Sequence, residues 1–428
     1  MSTKAYNCPC CGAPLSYGAQ SGKLECASCG NQFDIEAMDA IAVEDNGKKV
    51  QFESAAESFG ASETQQMHAY ICRSCGAELM TESTTTATEC PYCGSPTVLP
   101  DRIAGGVRPE KVVPFKVTKE EAQKQFEEYF KGKMLLPNVF LHSRNRISEM
   151  RKLYVPYWLF DCDAEARIHF NAEKHRTERH GDWEIERVRH YRVLREGEMS
   201  FENIPVDGSE KLDNKITESL EPYDLNEAVA FQPAVLAGAM ADHADVKAEA
   251  CEGRAVERVE NSIADALRDT VVGYTFVTET DRNVWTEQGT AKPVLMPVWL
   301  ITTEKEQKTY TFAINGQTGK LTCDVPADVK KSILWGGGVF AGVLGIAALV
   351  LFLMEMLESG TILLAAIAAL VIALIVLGVL RGQLKQAAMQ GAAANYIKPD
   401  SFRLTGHHDI FLYETTTRRK IERQGKKD

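Results

Sequence analysis

The stretches CPCCG at 8–12, CASCG at 26–30, CRSCG at 72–76 and CPYCG at 90–94 lie within the first hundred residues. They form two sets of paired cysteines, and fourteen residues separate the two pairs of each set. This spacing is typical of a four-cysteine zinc site of the ribbon type. The glycine after each second cysteine permits the positive φ angle that such a tight turn requires. The sequence therefore predicts two zinc ribbons.

Eight thiolates are the expected ligands, four for each of two Zn²⁺ ions. They are Cys8, Cys11, Cys26 and Cys29 for the first ion, and Cys72, Cys75, Cys90 and Cys93 for the second. Because four thiolates leave no position for water, both ions would be structural. Disulfides are the alternative, but the sequence starts MSTK without an apolar signal segment, which favours a reducing compartment.

The remaining cysteines and the histidines of the middle region are not expected to bind metal. Cys10 is an extra cysteine in the first turn, and Cys162, Cys251 and Cys323 are isolated, as small buried residues often are. The histidines are His169, His175, His180 and His190, which lack the helical i, i+4 spacing of a zinc protease. We expect them to be exposed strand residues, with an unrecognised hydrolase site as the alternative.

Charge is unevenly distributed along the 428 residues, whose formal net charge is −11. Residues 1–100 contain five basic and twelve acidic side chains, a net charge of −7. Such a surface should repel phosphates, which argues against nucleic-acid binding. We interpret the ribbons, at 1–35 and 70–100, as protein-binding or spacing modules joined by a partly flexible linker at 36–69.

Two apolar segments without any charge, 333–354 and 361–380, predict a transmembrane helical hairpin. Each is long enough to cross a hydrocarbon core of about 30 Å as an α-helix. Gly338 and Gly342, with Gly345 nearby, are expected to let the two helices approach closely, and this small-residue face would also suit a homo-oligomer. A buried hairpin in a soluble protein is the alternative.

Basic residues flank the predicted hairpin on the side of the two chain termini. They are Lys330 and Lys331 before it and Arg381 and Lys385 after it. The only charged residues of the connecting turn are Glu355 and Glu358. We therefore expect a multi-pass membrane protein with both termini cytosolic. The tail at 381–428 has ten basic and five acidic residues, and it either contacts anionic lipid or is an ordinary solvated terminus.

Residues 107–327 alternate helical and strand patterns, which predicts two α+β units at 107–240 and 241–327. One helix should begin after Thr118, where Thr118 and Glu121 form a capping box, and another should cover about 256–267. Similar motifs, VPYWL at 155–159 and MPVWL at 296–300, suggest duplication or convergence. Trp158 and Trp299 in these motifs are expected to be core residues.

The segment NGQTGK at 315–320 predicts a hairpin turn. Its glycine spacing does not fit a phosphate-binding loop, and Leu321 stands where a hydroxyl would hold magnesium. No nucleotide-binding set and no acid-base pair of carboxylates stands out elsewhere in the sequence. We therefore expect no enzymatic activity. Taken together, the ribbons, the middle units and the apolar segments predict an α+β multidomain membrane protein.

Further segments, taken with the ribbons, are similar to a known family. They are VPFK at 113–116, YVPYWLFD at 154–161, IPVDGS at 204–209, LEPYD at 220–224, AVLAG at 234–238 and NGQTGK at 315–320. Together they resemble the bacterial membrane proteins described as TFIIB-type zinc-ribbon proteins, over nearly the whole chain. Some members are labelled primosomal helicases, but motor motifs are absent from this sequence.

The resemblance implies an accessory protein of the bacterial inner membrane. Relatives occur alongside flotillin-like and phage-shock proteins, which suggests partners of that kind in envelope-stress or membrane-repair assemblies. It implies no enzymatic activity. The expected function is a membrane-anchored adaptor or scaffold that recruits protein partners. The alternative is a membrane-tethered nucleic-acid-binding or transcription-related protein.

Overall fold

One large sheet collects strands from most of the chain, as a computed structural model shows. The described residues are 6–36, 38, 52–83, 89–95, 98–101, 106–138, 140, 150–287, 289–305, 308–323, 325–354, 359–384 and 387–420. The strands are β1 (Ser16–Gly18), β2 (Lys23–Glu25), β3 (Gln32–Phe33), β4 (Phe52–Ser54), β5 (Glu57–Ser58), β6 (Met67–Cys72), β7 (Glu78–Glu82), β8 (Val98–Asp101), β9 (Val107–Arg108), β10 (Lys111–Val112), β11 (Arg151–His180), β12 (Trp183–Asp207), β13 (Val229–Ala230), β14 (Met240–Asp242), β15 (Phe276–Thr286), β16 (Gly289–Lys305), β17 (Lys308–Asn315), β18 (Leu321–Cys323) and β19 (Arg403–Lys420). The large sheet has 14 strands, whereas β1-β2-β3 and β5-β9 form two small sheets.

The helices pack against this sheet or extend from it. Those with described bounds are α1 (Ala61–Thr64), α2 (Lys119–Phe130), α3 (Asn214–Ser219), α4 (Ala248–Asp269), α5 (Val329–Leu353) and α6 (Ser359–Gly382), and short 3₁₀ turns cover Leu225–Glu227, Pro233–Leu236 and Ala394–Tyr396. The mixture confirms an α+β fold.

The longest strands form a four-stranded blade in the order β15-β11-β12-β19, which we call the arm. β11 and β12 pair antiparallel from Tyr157 opposite Asp207 to His180 opposite Trp183. At about 3.3 Å per residue, the 30 residues of β11 extend over at most about 100 Å. The arm therefore reaches well beyond the rest of the sheet.

Alternation along β11 buries one face of the arm beneath α4. Ile168 and Phe170 on β11 share a core with Val259, Ile263 and Leu267 on α4. The strand period of two and the helix period of 3.6 thus bring two apolar surfaces together. The helix predicted at about 256–267 is confirmed and extends further in both directions.

The base of the sheet packs against α2, the helix predicted to follow Thr118. The Thr118 hydroxyl accepts a hydrogen bond from the Glu121 amide, and the Glu121 carboxylate accepts one from the Thr118 amide, which confirms the capping box. Phe126 and Phe130 pack on Phe312 of β17. The predicted turn is also confirmed, since β17 pairs with β18 across 315–320.

The two similar motifs lie side by side rather than in separate units. Val155 of β11 is opposite Met296 of β16 in an antiparallel pair. Trp158 and Trp299 are both buried, as expected for core residues. The division expected between 107–240 and 241–327 falls within β14, and both stretches contribute to one sheet, because β11 and β16 satisfy each other's hydrogen bonds.

The expected linker at 36–69 carries ordered strands from Phe52 onward. β4 pairs parallel with β16, where Phe52 is opposite Gly289, and the Phe52 ring packs edge-on against Phe160. A Cβ at Gly289 would lie 2.5 Å from the Phe52 ring, so glycine permits this approach.

The tail expected at 381–428 also differs from a solvated terminus, because Arg403–Lys420 forms β19 of the arm. Arg418 and Arg419 face β12, while 421–428 lie outside the described residues.

The two carboxyl-terminal apolar segments form helices α5 and α6, which contact each other. Both are long and apolar enough to cross a membrane, and their side chains are largely exposed. The helices approach at Gly336, where an added Cβ would lie 2.6 Å from Leu377. Added Cβ atoms at Gly338, Gly342 and Gly345 meet nothing within 4 Å, so the close contact predicted there lies elsewhere on the helix. Lys385 and the turn residues 355–358 are outside the described residues.

Candidate metal centres

Each Cys-x-x-Cys-Gly segment folds into the same tight turn. The first cysteine of each pair accepts a hydrogen bond at its carbonyl from the amide of the glycine, at 2.8 to 2.9 Å. The glycines are Gly12, Gly30, Gly76 and Gly94, with φ angles of 75°, 74°, 70° and 70°. Their left-handed conformation, which the sequence predicts, turns both thiols of a pair toward one point.

The eight cysteines predicted as ligands gather into two clusters. Each cluster contains four sulfur atoms within 4.8 Å of one another, from Cys8, Cys11, Cys26 and Cys29 in site 1 and from Cys72, Cys75, Cys90 and Cys93 in site 2. The outer cysteines of a set approach each other, as do the inner ones, at 3.5 Å in site 1 and at 3.6 to 3.7 Å in site 2.

These sulfur–sulfur distances fit the tetrahedral coordination of one metal ion by four sulfur atoms. Four ligands at about 2.3 Å from a central ion lie about 3.8 Å from one another. The observed sulfur distances of 3.5 to 3.7 Å are close to that value. A tetrahedral set of four thiolates suits zinc or an iron–sulfur centre. Each cluster could therefore hold a metal ion, and neither has room for a substrate in its coordination shell.

Backbone amides within the turns prepare some thiols to ionise. The Cys29 amide donates to the Cys26 sulfur and lowers the pKa of that thiol to about 6. Burial raises the pKa of Cys72, but the amides of Cys75 and Ser74 outweigh burial and bring it to about 7. Thiolates are the form that binds a metal ion, so these donors favour binding near neutral pH.

Site 1 packs against the end of the chain. Leu24 and Phe33 of the ribbon share a core with Ile410 and Leu412 of β19. The Cys10 thiol donates to the Leu412 carbonyl at 3.7 Å and accepts from the Asn31 side chain at 3.2 Å. Cys10 therefore lies outside the metal cluster, as expected, and joins the first ribbon to the arm.

Site 2 is continuous with the large sheet. β7 of this ribbon pairs with β14, and Cys72, Cys90 and Tyr92 belong to a core that includes Tyr157. Tyr92 lies between Cys90 and Cys93 in the sequence, and its hydroxyl donates to the buried Asp242 carboxylate at 2.5 Å. The second ribbon is thus part of the main body rather than a separate module.

A buried polar network surrounds Asp242. Ser209 donates to the same carboxylate oxygen at 2.6 Å, and the Ser209 amide donates to Asp207 at 3.0 Å. Burial raises the pKa of Asp242 to about 7 and raises that of Asp207 well above its ordinary range. The Tyr223 hydroxyl, in the same core, has no partner among the described residues.

The other cysteines and the histidines form no metal cluster in the described part of the chain. Cys162, Cys251 and Cys323 are buried, as predicted. His175 and His190 lie on neighbouring strands and both contact the Glu173 carboxylate, at 2.9 and 3.2 Å. His169 differs from the expected exposed position because it is buried against the arm core, and burial lowers its pKa.

The sequence did not identify the buried ion pair between Arg258 and Glu221. The Arg258 guanidinium donates to both Glu221 carboxylate oxygens, at 3.1 and 2.6 Å, and to the Pro205 carbonyl at 2.7 Å. Tyr396, beyond the apolar helices, donates to Glu221 at 2.8 Å. The sequence signal that could have identified this buried pair is the position of Arg258, a charged residue beside Val259 on the apolar face of α4.

Comparison with known proteins finds a relative in Bacillus subtilis strain 168. The chain is 33% identical to the uncharacterized protein YdjG over 356 residues, or 83% of this chain and 98% of that protein. No protein-family model matches the chain. No solved structure matches it. The similarity to YdjG therefore extends over most of both chains.

Proposed function

We propose that this chain, which belongs to the same family as the Bacillus subtilis protein YdjG, is a membrane-anchored zinc-ribbon adaptor. In this proposal two Zn²⁺ ions stabilise the ribbons. The hairpin holds the protein in the inner membrane, with both termini in the cytosol, and the cytosolic surface recruits protein partners.

The chemistry of the two cysteine clusters carries this proposal. Each cluster supplies four thiolates, and a zinc ion bound by four protein ligands has no open position for water. A closed site stabilises a fold without supplying a nucleophile. Non-enzymatic adaptor function is the use that such sites support best.

The hairpin supports the membrane anchor. Exposed apolar side chains cover both helices, and this exposure would be costly in water. α5 begins at Val329 and α6 ends at Gly382, so these two residues lie at the same end of the hairpin. Lys330 and Arg381 are at that end, so the positive-inside rule favours a cytosolic location for it. Metal binding by the ribbons requires reduced cysteines, which that compartment maintains.

Exposed aromatic residues on the arm support protein binding. Trp183 and Phe276 are 47% and 58% exposed near its far end, and Phe411 and Tyr413 of β19 are similarly exposed. Aromatic side chains often anchor protein partners. The resemblance to TFIIB-type zinc-ribbon proteins suggests flotillin-like or phage-shock partners, in envelope-stress or membrane-repair assemblies.

Crosslinking in native membranes, followed by partner identification, tests this function on the full chain. We expect W183A/F276A to reduce recovery of specific partners at least fivefold. V229A, which truncates another exposed apolar residue, serves as the matched control. Equal recovery with both variants would rule out the arm as the recruiting surface. Failure to recover any specific protein with the unsubstituted chain would contradict the adaptor function.

A further inference from the structure

A cavity of about 310 Å³ lies where the apolar hairpin joins the sheet domain. It is lined by Val325, Ala327, Val329, Ser332, Arg381 and Leu384. Its walls therefore combine the start of α5 with the end of α6. The volume is at the lower end of the range of small-ligand sites, about 300 to 1,000 Å³.

Hydrogen bonds hold two of the residues that line the cavity. The Ser332 hydroxyl donates to the Asp328 carbonyl at 2.7 Å, and the Tyr129 hydroxyl donates to the Leu384 carbonyl at 2.9 Å. One helical turn beyond Ser332, Gly336 packs closely on Leu377. The cavity thus lies between the sheet domain and the first close contact of the two helices.

The charge of the cavity wall favours an anion. Arg381 is exposed, and its guanidinium has no hydrogen-bond or ion-pair partner among the described residues. Lys330 and Lys331 are in the adjoining first turn of α5, where the Lys331 ammonium donates to the Leu136 carbonyl at 2.6 Å. The neighbouring acidic residue, Asp328, uses its carboxylate to accept a hydrogen bond from the Lys331 amide at 3.0 Å. An arginine with free donors binds a phosphate group well, because two of its N–H groups can donate in parallel.

The lengths of the helices place this cavity at headgroup depth. α5 has 25 residues and α6 has 24, so each is about 36 to 38 Å long at 1.5 Å per residue. A hydrocarbon core is about 30 Å thick. The excess length brings the basic ends of both helices out of the apolar layer, to the level at which lipid phosphates lie.

We propose that this cavity binds the phosphate of an anionic phospholipid headgroup and that Arg381 is the residue that recognises it. The apolar walls formed by Val325 and Val329 contact the glycerol region, while the acyl chains lie along the exposed face of the hairpin. This inference rests on the membrane anchor of the proposed function. It adds a specific lipid site to that anchor.

Native mass spectrometry of the full chain tests the lipid site. The protein is extracted from membranes in detergent and presented with phosphatidylglycerol or phosphatidylcholine at equal concentration. We expect one phosphatidylglycerol to remain bound per chain and to be retained about tenfold better than phosphatidylcholine, because the choline cation neutralises the phosphate charge and is repelled by Arg381. R381Q should remove this preference, and R381K should retain part of it, because lysine keeps the charge but not the paired donors.

Matched variants and competitors separate the outcomes. R176Q removes one exposed arginine near the far end of β11 and should leave the preference unchanged. Equal retention by the unsubstituted chain and R381Q would overturn the site while leaving the anchor intact. Displacement of the bound lipid by inorganic phosphate alone would instead assign the cavity to free phosphate. Recovery of the unsubstituted chain in the soluble fraction after alkaline washing of membranes would overturn both the site and the anchor.

Discussion

The hydrogen bond between Tyr92 and Asp242 predicts that the second ribbon opens together with the sheet rather than independently. Y92F removes only the hydroxyl that donates to Asp242. Removing one donor from a buried acceptor lowers the free energy of unfolding by about 1 to 3 kcal/mol. Asp242 keeps Ser209 as a second donor. We therefore expect joint opening of β6, β7 and β14 to become about 5-fold to 150-fold more frequent, at 1.4 kcal/mol for each factor of ten.

Hydrogen exchange measured by mass spectrometry checks this expectation in detergent or nanodiscs. Peptides from β6, β7 and β14 should exchange faster in Y92F, because all three strands lie in the structure that the bond closes. Y17F is the matched control, since Tyr17 is exposed on the first ribbon. A change of less than about twofold in these peptides, with zinc content intact, would refute the coupling between site 2 and the sheet.

Three further predictions concern metal, pH and the hairpin. Metal analysis should return about two zinc ions per chain, and C72S should lower this to about one because site 2 loses a thiolate. Burial raises the pKa of Asp242 from 3.8 to about 7, so its protonated form favours the folded state, and this stability is lost as pH rises through 7. Relative to D242N, the unsubstituted chain should lose about 3 kcal/mol between pH 5 and pH 8, measured by denaturant unfolding. G336L should lower the melting temperature in detergent, because the side chain would displace Leu377, at a cost of about 1 to 3 kcal/mol.

Each of these has an outcome that contradicts it. Iron in place of zinc, or fewer than two ions in the unsubstituted chain, would contradict the assignment of the metal. Parallel pH profiles for D242N and the unsubstituted chain would show that Asp242 is not the titrating group. G342L is the control for the hairpin, since a Cβ there meets nothing within 4 Å. An equal loss with both glycine variants would place the close contact of the helices elsewhere.

Local patterns allowed the two cysteine clusters and several elements to be predicted. The spacing of the cysteines and the glycine that follows each pair determine a turn of five residues, which needs no distant partner. The capping box at Thr118 and Glu121 is local for the same reason. The apolar helices follow from composition alone.

Pairing between distant segments could not be predicted in this way. β19 lies opposite β12 although more than 200 residues separate them, and its many charged and polar side chains gave the appearance of a solvated tail. The strand at Phe52 pairs with β16 more than 200 positions away and packs its ring on Phe160. The Glu221 carboxylate that pairs with Arg258 also accepts from Tyr396, which follows the hairpin in sequence. Periodicity within one segment carries no information about such partners.

The position of β19 has a consequence for the order in which the molecule is completed during synthesis. Residues 403–420 leave the ribosome after both apolar helices, yet they form an outer strand of the arm and part of the surface on which the first ribbon packs. Until they emerge, β12 has an open edge along most of its length and the first ribbon lacks the surface on which it packs. Closure of the arm therefore follows synthesis of the two apolar helices. A chain terminated before residue 403 would leave that edge available to other strands.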